Sequence, residues 1–234
     1  MTDNGRPLQQ HPSLAVAAQD WITNEILAGR IVPGQKLAEE PLADQMGISR
    51  SPVREALRAL AGQGVIIVEP RRGAFVAEID ANQAADLYAC RLLIEPECVR
   101  LATASLSDAT VAGLEATFER MQSAVQKGQA DAYVSELETY NRDLLEACPN
   151  RMLFGFAEST WRRSLRYWGL LARHTPTYLG DSLGRNAAIH EAVTKRDGDG
   201  AAAAVAQLLS WSRDALAGVI TALPTAEASE RNPQ

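Results

Sequence analysis

Between residues 39 and 77 the spacing of apolar positions changes from helical to extended. Leu42, Ala43 and Met46 make the inner face of a short helix from about Glu39 to Met46. Gly47 supplies a sharp turn. Val53, Ala56, Leu57 and Leu60 then recur as one apolar stripe and predict a second helix. It starts at Ser49 or Ser51, either of which can cap the first turn, and Pro52 falls where its missing N–H costs nothing. Gly64 ends that helix as a C-cap. Val65 to Glu69 is a β-branched run, Pro70 to Gly73 a turn, and Ala74 to Ala77 the returning strand. Helix, tight turn, helix and two-stranded hairpin is the order of a winged helix-turn-helix, which places one helix in the DNA major groove.

After Ile79 the strand-like runs stop. Helical segments follow near residues 82–105, 107–127, 129–147, 150–173, 178–196 and 199–222. The breaks are Ser107-Asp108, Gly128, Pro149-Asn150, Thr175-Pro176 and the run from Asp197 to Gly200. Six helices with short connections predict an antiparallel bundle, with Leu87, Leu93 or Ile94, and Leu101 as inner positions of the first helix. The expected fold is mainly α: a winged helix-turn-helix at 13–78 and an all-helical domain at 79–223, between polar tails at 1–12 and 224–234.

Charge sharpens the first domain. The whole chain carries a net charge of −6, an unpromising value for a DNA-binding protein. Residues 49–72, however, hold five arginines against Glu55 and Glu69, a local net of +3. Arg50, Arg54 and Arg58 recur every four residues on a face away from the apolar stripe. Guanidiniums so arranged can fork onto guanine O6 and N7 or onto phosphate. Ser49 and Ser51 at the helix start can bond phosphate oxygens, and Arg71 and Arg72 sit at the hairpin tip, a place for backbone or minor-groove contact.

Cys90, Cys98 and Cys148 are odd in number and lack metal-type spacing. They read as reduced thiols of a cytoplasmic protein, used as small buried hydrophobes. No stretch is apolar enough to span a membrane, and the first residues lack a signal-peptide core.

The segment from Leu42-Ala43 through Ile48-Ser49-Arg50-Ser51-Pro52-Val53-Arg54-Glu55-Ala56-Leu57 resembles the GntR family of bacterial transcription regulators. The likeness includes an upstream helix around Ala15 to Ala28 and the wing Gly73-Ala74-Phe75-Val76. It implies that Arg50 and Arg54 contact DNA and that the wing tip, with Arg71, Arg72 and Gly73, reaches the minor groove. The remainder resembles the all-helical effector-binding and dimerisation (FCD) domain of the FadR-type branch. That likeness rests on Arg91-Leu92-Leu93-Ile94-Glu95, on the run Asn141 to Asn150, and on Arg196-Asp197-Gly198-Asp199 before an alanine run.

Many members of that branch hold a divalent metal with one Asp and three His. At the matching positions this chain has Leu137, Asn141, Asn186 and Leu208. Two leucines cannot ligate, and neutral amides are poor ligands for a transition ion, so neither metal nor cofactor is expected. His190 lies four residues past a ligand position, with its ring expected to point elsewhere. The resemblance implies Arg91 and the two asparagines as cavity residues. Arg163 and Arg166, beside Tyr167 and Trp168, are further candidates to grip an acidic effector. The expected protein is therefore a homodimeric, effector-responsive regulator of a near-palindromic operator. Two other classes compete with it. An enzyme lacks a convergent acid, base or nucleophile cluster, since Glu136 and Glu138 face different sides of a helix. An architectural or constitutive DNA-binding protein without effector would account for the lost ligand positions.

Overall fold

The structure, a computed structural model, describes residues 13–175 and 177–222. The tails expected at 1–12 and 224–234, and Pro176 in one predicted break, lie outside the described residues. The winged domain comprises α1 (Leu14–Leu27), β1 (Lys36–Leu37), α2 (Glu39–Met46), α3 (Arg50–Gly62), β2 (Ile66–Glu69) and β3 (Gly73–Val76). The bundle comprises α4 (Ala81–Ser105), α5 (Asp108–Gln126), α6 (Ala130–Glu146), α7 (Arg151–His174), α8 (Tyr178–Thr194) and α9 (Gly198–Ala222).

Local chemistry accounts for the boundaries. Gly47 closes α2 in the left-handed conformation, at φ 65°. Ser49 occupies the N-cap position of α3, but its hydroxyl makes no capping bond there. At the far end Gly64, at φ 70°, donates to Ala61 O and Val65 donates to Leu60 O, each at 3.0 Å. Those are the two bonds of a Schellman stop, with Gly64 one residue beyond the cap itself. The wing turns at Arg71, a non-glycine residue at φ 64°, and β3 lies between β1 and β2 in an antiparallel sheet. Its register pairs Glu69 with Gly73 and Ile66 with Val76. The two-residue β1, pairing Lys36 with Phe75, is too short to leave a periodic signal in sequence. In the bundle, side chains of Asp80, Ser107 and Asn150 cap α4, α5 and α7.

Each domain has its own core. Ile22, Val53, Leu60 and Ile66 centre the winged one; Tyr88, Tyr133, Trp161 and Leu165 the bundle. The predicted stripe of α3 is buried as a set: Val53, Ala56, Leu57 and Leu60. On α4 the two alternatives resolve to Ile94, which with Leu87 and Leu101 packs partly buried against the core, while Leu93 is 81% exposed. The fully buried inward face beside them runs through Ala84, Tyr88, Arg91, Glu95, Cys98 and Ala102. A charged pair stands in the middle of that face, which an apolar pattern does not foresee. Cys90 is likewise exposed rather than buried, since it sits beside that inward face and not on it. The helix continues through Pro96, whose ring removes one backbone donor directly after Glu95.

Helix α7 serves both domains. All of its residues from Ser164 to Leu171 are buried. Leu27 at the end of α1 packs into the bundle core, and α1 lies against α7. Leu60 is fully buried in the winged core, so Leu60→Ala should cost about 2–5 kcal/mol. Equilibrium urea unfolding of the full chain measures this as a lowered midpoint.

Candidate nucleic-acid interface and helical cavity

Burial of one side of α3 forces its other side into solvent. Arg50, Arg54 and Arg58 are exposed there, as are Ser49 and Ser51 at its start. Two of the three guanidiniums are already engaged. Arg54 forms a bidentate pair with Glu39 of α2, at 2.7 and 2.6 Å. Arg50 reaches Glu40 at 2.5 Å. The hydrogen bond from Arg54 holds the Glu39 carboxyl below its usual range, and the same bond raises Arg54. Solvent-exposed pairs of this kind are weak and exchangeable. The α2 carboxylates therefore orient the guanidiniums without locking them.

An open groove separates α3 from the wing. Arg54 and Arg58 line one side, Arg71, Arg72 and Gly73 the other, and Lys36 of β1 stands between. Arg72 pairs with Glu69 across the turn and sits 5.3 Å from the Phe75 ring centroid. Of the residues singled out in sequence, Arg54 and Arg58 thus face Arg71, Arg72 and Gly73 across one concave surface, while Ser49, Arg50 and Ser51 lie outside its lining. Lys36, Glu39 and Glu40 were not foreseen. Their positions depend on how α2 and β1 fold against α3 and the wing.

The bundle encloses a second site. Arg91 and Glu95 of α4, Leu137 and Asn141 of α6, Trp168 of α7, Asn186 of α8 and Leu208 of α9 line one cavity. Every position matched to the metal site in the sequence lies on its wall. The free volume is small, about 20 Å³ in the measure by which one water needs roughly 10–15 Å³.

Arg91 dominates the electrostatics. Its Nε and Nη2 donate to Glu95 at 2.5 and 2.9 Å, with both residues 3% exposed. Burial opposes the Arg91 charge, yet the attraction of Glu95 outweighs it and the arginine stays above its ordinary value. The guanidinium also lies over the rings of Tyr88, at 5.0 Å, and Trp168, at 5.7 Å. Its Nη1 is buried and has no partner among the described residues. Asn141 and Asn186 each donate to the carbonyl four residues back, at 2.8 and 2.9 Å. Tyr133 donates to Ser182 Oγ at 2.7 Å, and Ser182, Tyr178 and Ser212 extend the polar wall.

This donor set does not fit a divalent transition ion. Leu137 and Leu208 have no ligating atom, and Asn141 and Asn186 offer only neutral amide oxygens, which are poor ligands for such an ion. No group of three His, Cys, Asp or Glu side chains that could hold a metal occurs among the described residues. The His190 ring stacks on Phe118 at 4.3 Å, with Nδ1 3.1 Å from the Tyr140 hydroxyl, away from the cavity lining. Burial lowers its pKa.

Two expected cavity residues are elsewhere. Arg163 and Arg166 leave α7 toward the winged domain. Arg166 Nη1 donates to Arg163 O at 2.7 Å and lies 3.5 Å from Gly64 O, and the Arg163 guanidinium covers Gly64. Trp168, two residues beyond Arg166, does face the cavity, so helical rotation divides neighbours in sequence between two sites. Glu95 was missed as a wall residue, although its place four residues after Arg91 is a helical ion-pair spacing.

Comparison with known proteins agrees with both halves. Residues 14–76 match the family model described as bacterial regulatory proteins, gntR family, and residues 86–210 match the FCD domain. The HTH-type transcriptional regulator McbR of Escherichia coli K12 is 26% identical over 159 residues, 68% of this chain and 72% of that protein. The HTH-type transcriptional repressor RspR of the same organism is 26% identical over 205 residues, 86% of this chain and 89% of that one. The solved structure of E. coli McbR/YncC superposes with a TM-score of 0.76 at 23% identity, covering 88% of this chain and 98% of its own. A GntR regulator from Rhodococcus superposes at 0.64 and 22% identity, covering 91% and 100%. The similar proteins are transcription regulators and not enzymes. On the two family matches, which together span most of its length, this chain belongs to the GntR family of bacterial transcription regulators, in the branch that carries an FCD domain.

Proposed function

We propose that the protein is a cytoplasmic, effector-responsive repressor that binds a near-palindromic operator as a homodimer. The observation that carries the DNA half is the exposed row Arg50, Arg54 and Arg58 on a helix whose other side is the domain core. In this reading Arg54 leaves Glu39 to meet a base edge, and Arg50 and Arg58 flank it on base or phosphate. Ser49 and Ser51 bond phosphate at the helix N-terminus. Arg71, Arg72 and Gly73 follow the adjacent minor groove. Relatives named as repressors, RspR and a probable D-xylose utilization operon repressor of Paenarthrobacter nicotinovorans, support the direction of control.

Two-fold pairing is assigned to the bundles. Leu93 on α4 and Met152 and Phe156 on α7 are the large apolar side chains left most exposed there, at 81%, 72% and 57%. Burial against a second copy would remove that apolar surface from water.

The effector is a small organic molecule bound without metal by Arg91, Asn141 and Asn186. Glu95 already balances Arg91, so the cavity has no net positive charge to offer an acid. An uncharged polar molecule fits better than the acidic one expected from sequence. Its acceptor would meet Arg91 Nη1 and its donors the two amide oxygens. The small free volume favours a second reading, a regulator with no effector. On the first reading a ligand must spread the helices, and it regulates only through its different affinity for the two arrangements.

Three measurements test these assignments. Arg54→Ala should weaken operator binding roughly tenfold or more, read by fluorescence anisotropy with a labelled duplex. Unchanged affinity removes the base contact. Phe156→Asp should convert dimer to monomer in light scattering; a monomeric wild type refutes the pairing. A metabolite screen on tryptophan emission should find a compound that shifts wild type but not Asn186→Leu, because Trp168 borders the cavity. A silent screen favours the regulator without effector.

A further inference from the structure

Trp168 and Gly169 are consecutive residues of α7, and they meet different domains. Trp168 lines the bundle cavity. Gly169 lies against the end of α1: a Cβ there would collide with the Leu27 carbonyl oxygen and stand 3.0 Å from Arg173 Nη1. That nitrogen donates to the same carbonyl at 3.1 Å. One turn earlier, Arg166 approaches the carbonyl of Gly64, which closes α3, and Arg163 covers that glycine.

Both attachments are made at helix C-termini, where unpaired carbonyls carry partial negative charge and a guanidinium is the complementary partner. Arg173 has no acidic ion-pair partner among the described residues. Burial lowers its pKa, with distant Asp131 acting the other way. Its hydrogen bond to Leu27 O fixes α1 to α7. Residues 77–80 connect β3 to α4, with Ala77 donating to Val65 O in the winged domain and Ile79 packed on the bundle core. Among the described residues one further polar bond crosses the junction, from Arg30 to Asp131 at 3.2 Å, and it is solvent-exposed.

We propose that α7 is the element that carries the state of the cavity to the recognition helix. Trp168 senses the occupant, and Gly169, Arg173 and Arg166 act as positioning residues that hold the end of α1 by the Leu27 carbonyl and the turn just after α3 by the Gly64 carbonyl. The link rests on the reading of the cavity as an effector site. Its physical basis is the absence of slack. With Gly169 in backbone contact with Leu27, a displacement of Trp168 cannot be absorbed between the two helices. The bundle can then open only if the winged domain is re-seated.

Hydrogen exchange on the full-length protein, without DNA or any added compound, tests the link. The reporters are the amides of Gly29 to Ile31, bonded back to the last turn of α1, and of Gly64 and Val65, which close α3. Trp168→Phe, Gly169→Ala and Arg173→Gln should each speed exchange at Gly29 to Ile31, roughly tenfold for Gly169→Ala. Trp168→Phe should also act at Gly64 and Val65. Leu114→Val, in the bundle core but outside the cavity lining, should leave both sets at wild-type rates. Wild-type rates in Trp168→Phe, or equal acceleration by Leu114→Val, would overturn the proposal. A bundle that loses protection throughout in Gly169→Ala shifts the decision to Trp168→Phe and Arg173→Gln, which add no bulk at the contact. A silent metabolite screen removes the effector reading without touching this result. Failure here with an effector in hand removes only the link.

Discussion

Between Ser164 and Leu171, helix α7 has no side facing water. A helix buried all round must meet its polar groups internally, and this one does so largely with local means. Ser164 Oγ donates to Trp161 O at 2.6 Å, and Arg166 donates to Arg163 O and the Tyr167 hydroxyl, leaving its Nε buried without a partner among the described residues. Burial of the α7 core residues requires the bundle on one side and α1 on the other. Neither domain alone covers the helix. The mutual arrangement of DNA-reading and helical domains is thus a packing requirement.

A second constraint concerns charge. Placing Arg91 and Glu95 on the inward face of α4 costs solvation for both ions, and their mutual attraction offsets much of it. Removing either one would leave an uncompensated charge among Tyr88, Trp168 and Tyr178. The pair thereby gives the bundle interior a fixed dipole. Leu137 and Leu208 are apolar parts of the wall, beside the polar groups of Arg91, Asn141, Tyr178, Ser182, Asn186 and Ser212.

Much of this was legible from residue order, and the exceptions have physical causes. The α3 stripe, the turn at Gly47 and the stop at Gly64 follow from local rules, because burial of one face and glycine conformational freedom act within a few residues. The bundle boundaries were readable for the same reason. On α4 periodicity found Leu87, Ile94 and Leu101 but failed at Arg91 and Glu95. A sequence pattern counts charges as exposed and cannot see two of them neutralising one another in a core. It failed again for Arg163 and Arg166, since a rotation of one residue on α7 changes the domain that a side chain meets. The cavity wall at Leu137, Asn141, Asn186 and Leu208 came through family resemblance, and no local pattern would have united residues from four helices.

The carboxylates of α2 have a consequence for how binding preference can change. On the proposed DNA-reading role, Glu39 and Glu40 decide which guanidiniums of α3 are held back before any duplex arrives. A mutation at either position alters the set of free hydrogen-bond forks while leaving every base-facing residue intact. Divergence between duplicated regulators of this kind thus has a route through the scaffold helix, where specificity can drift without loss of the reading surface itself.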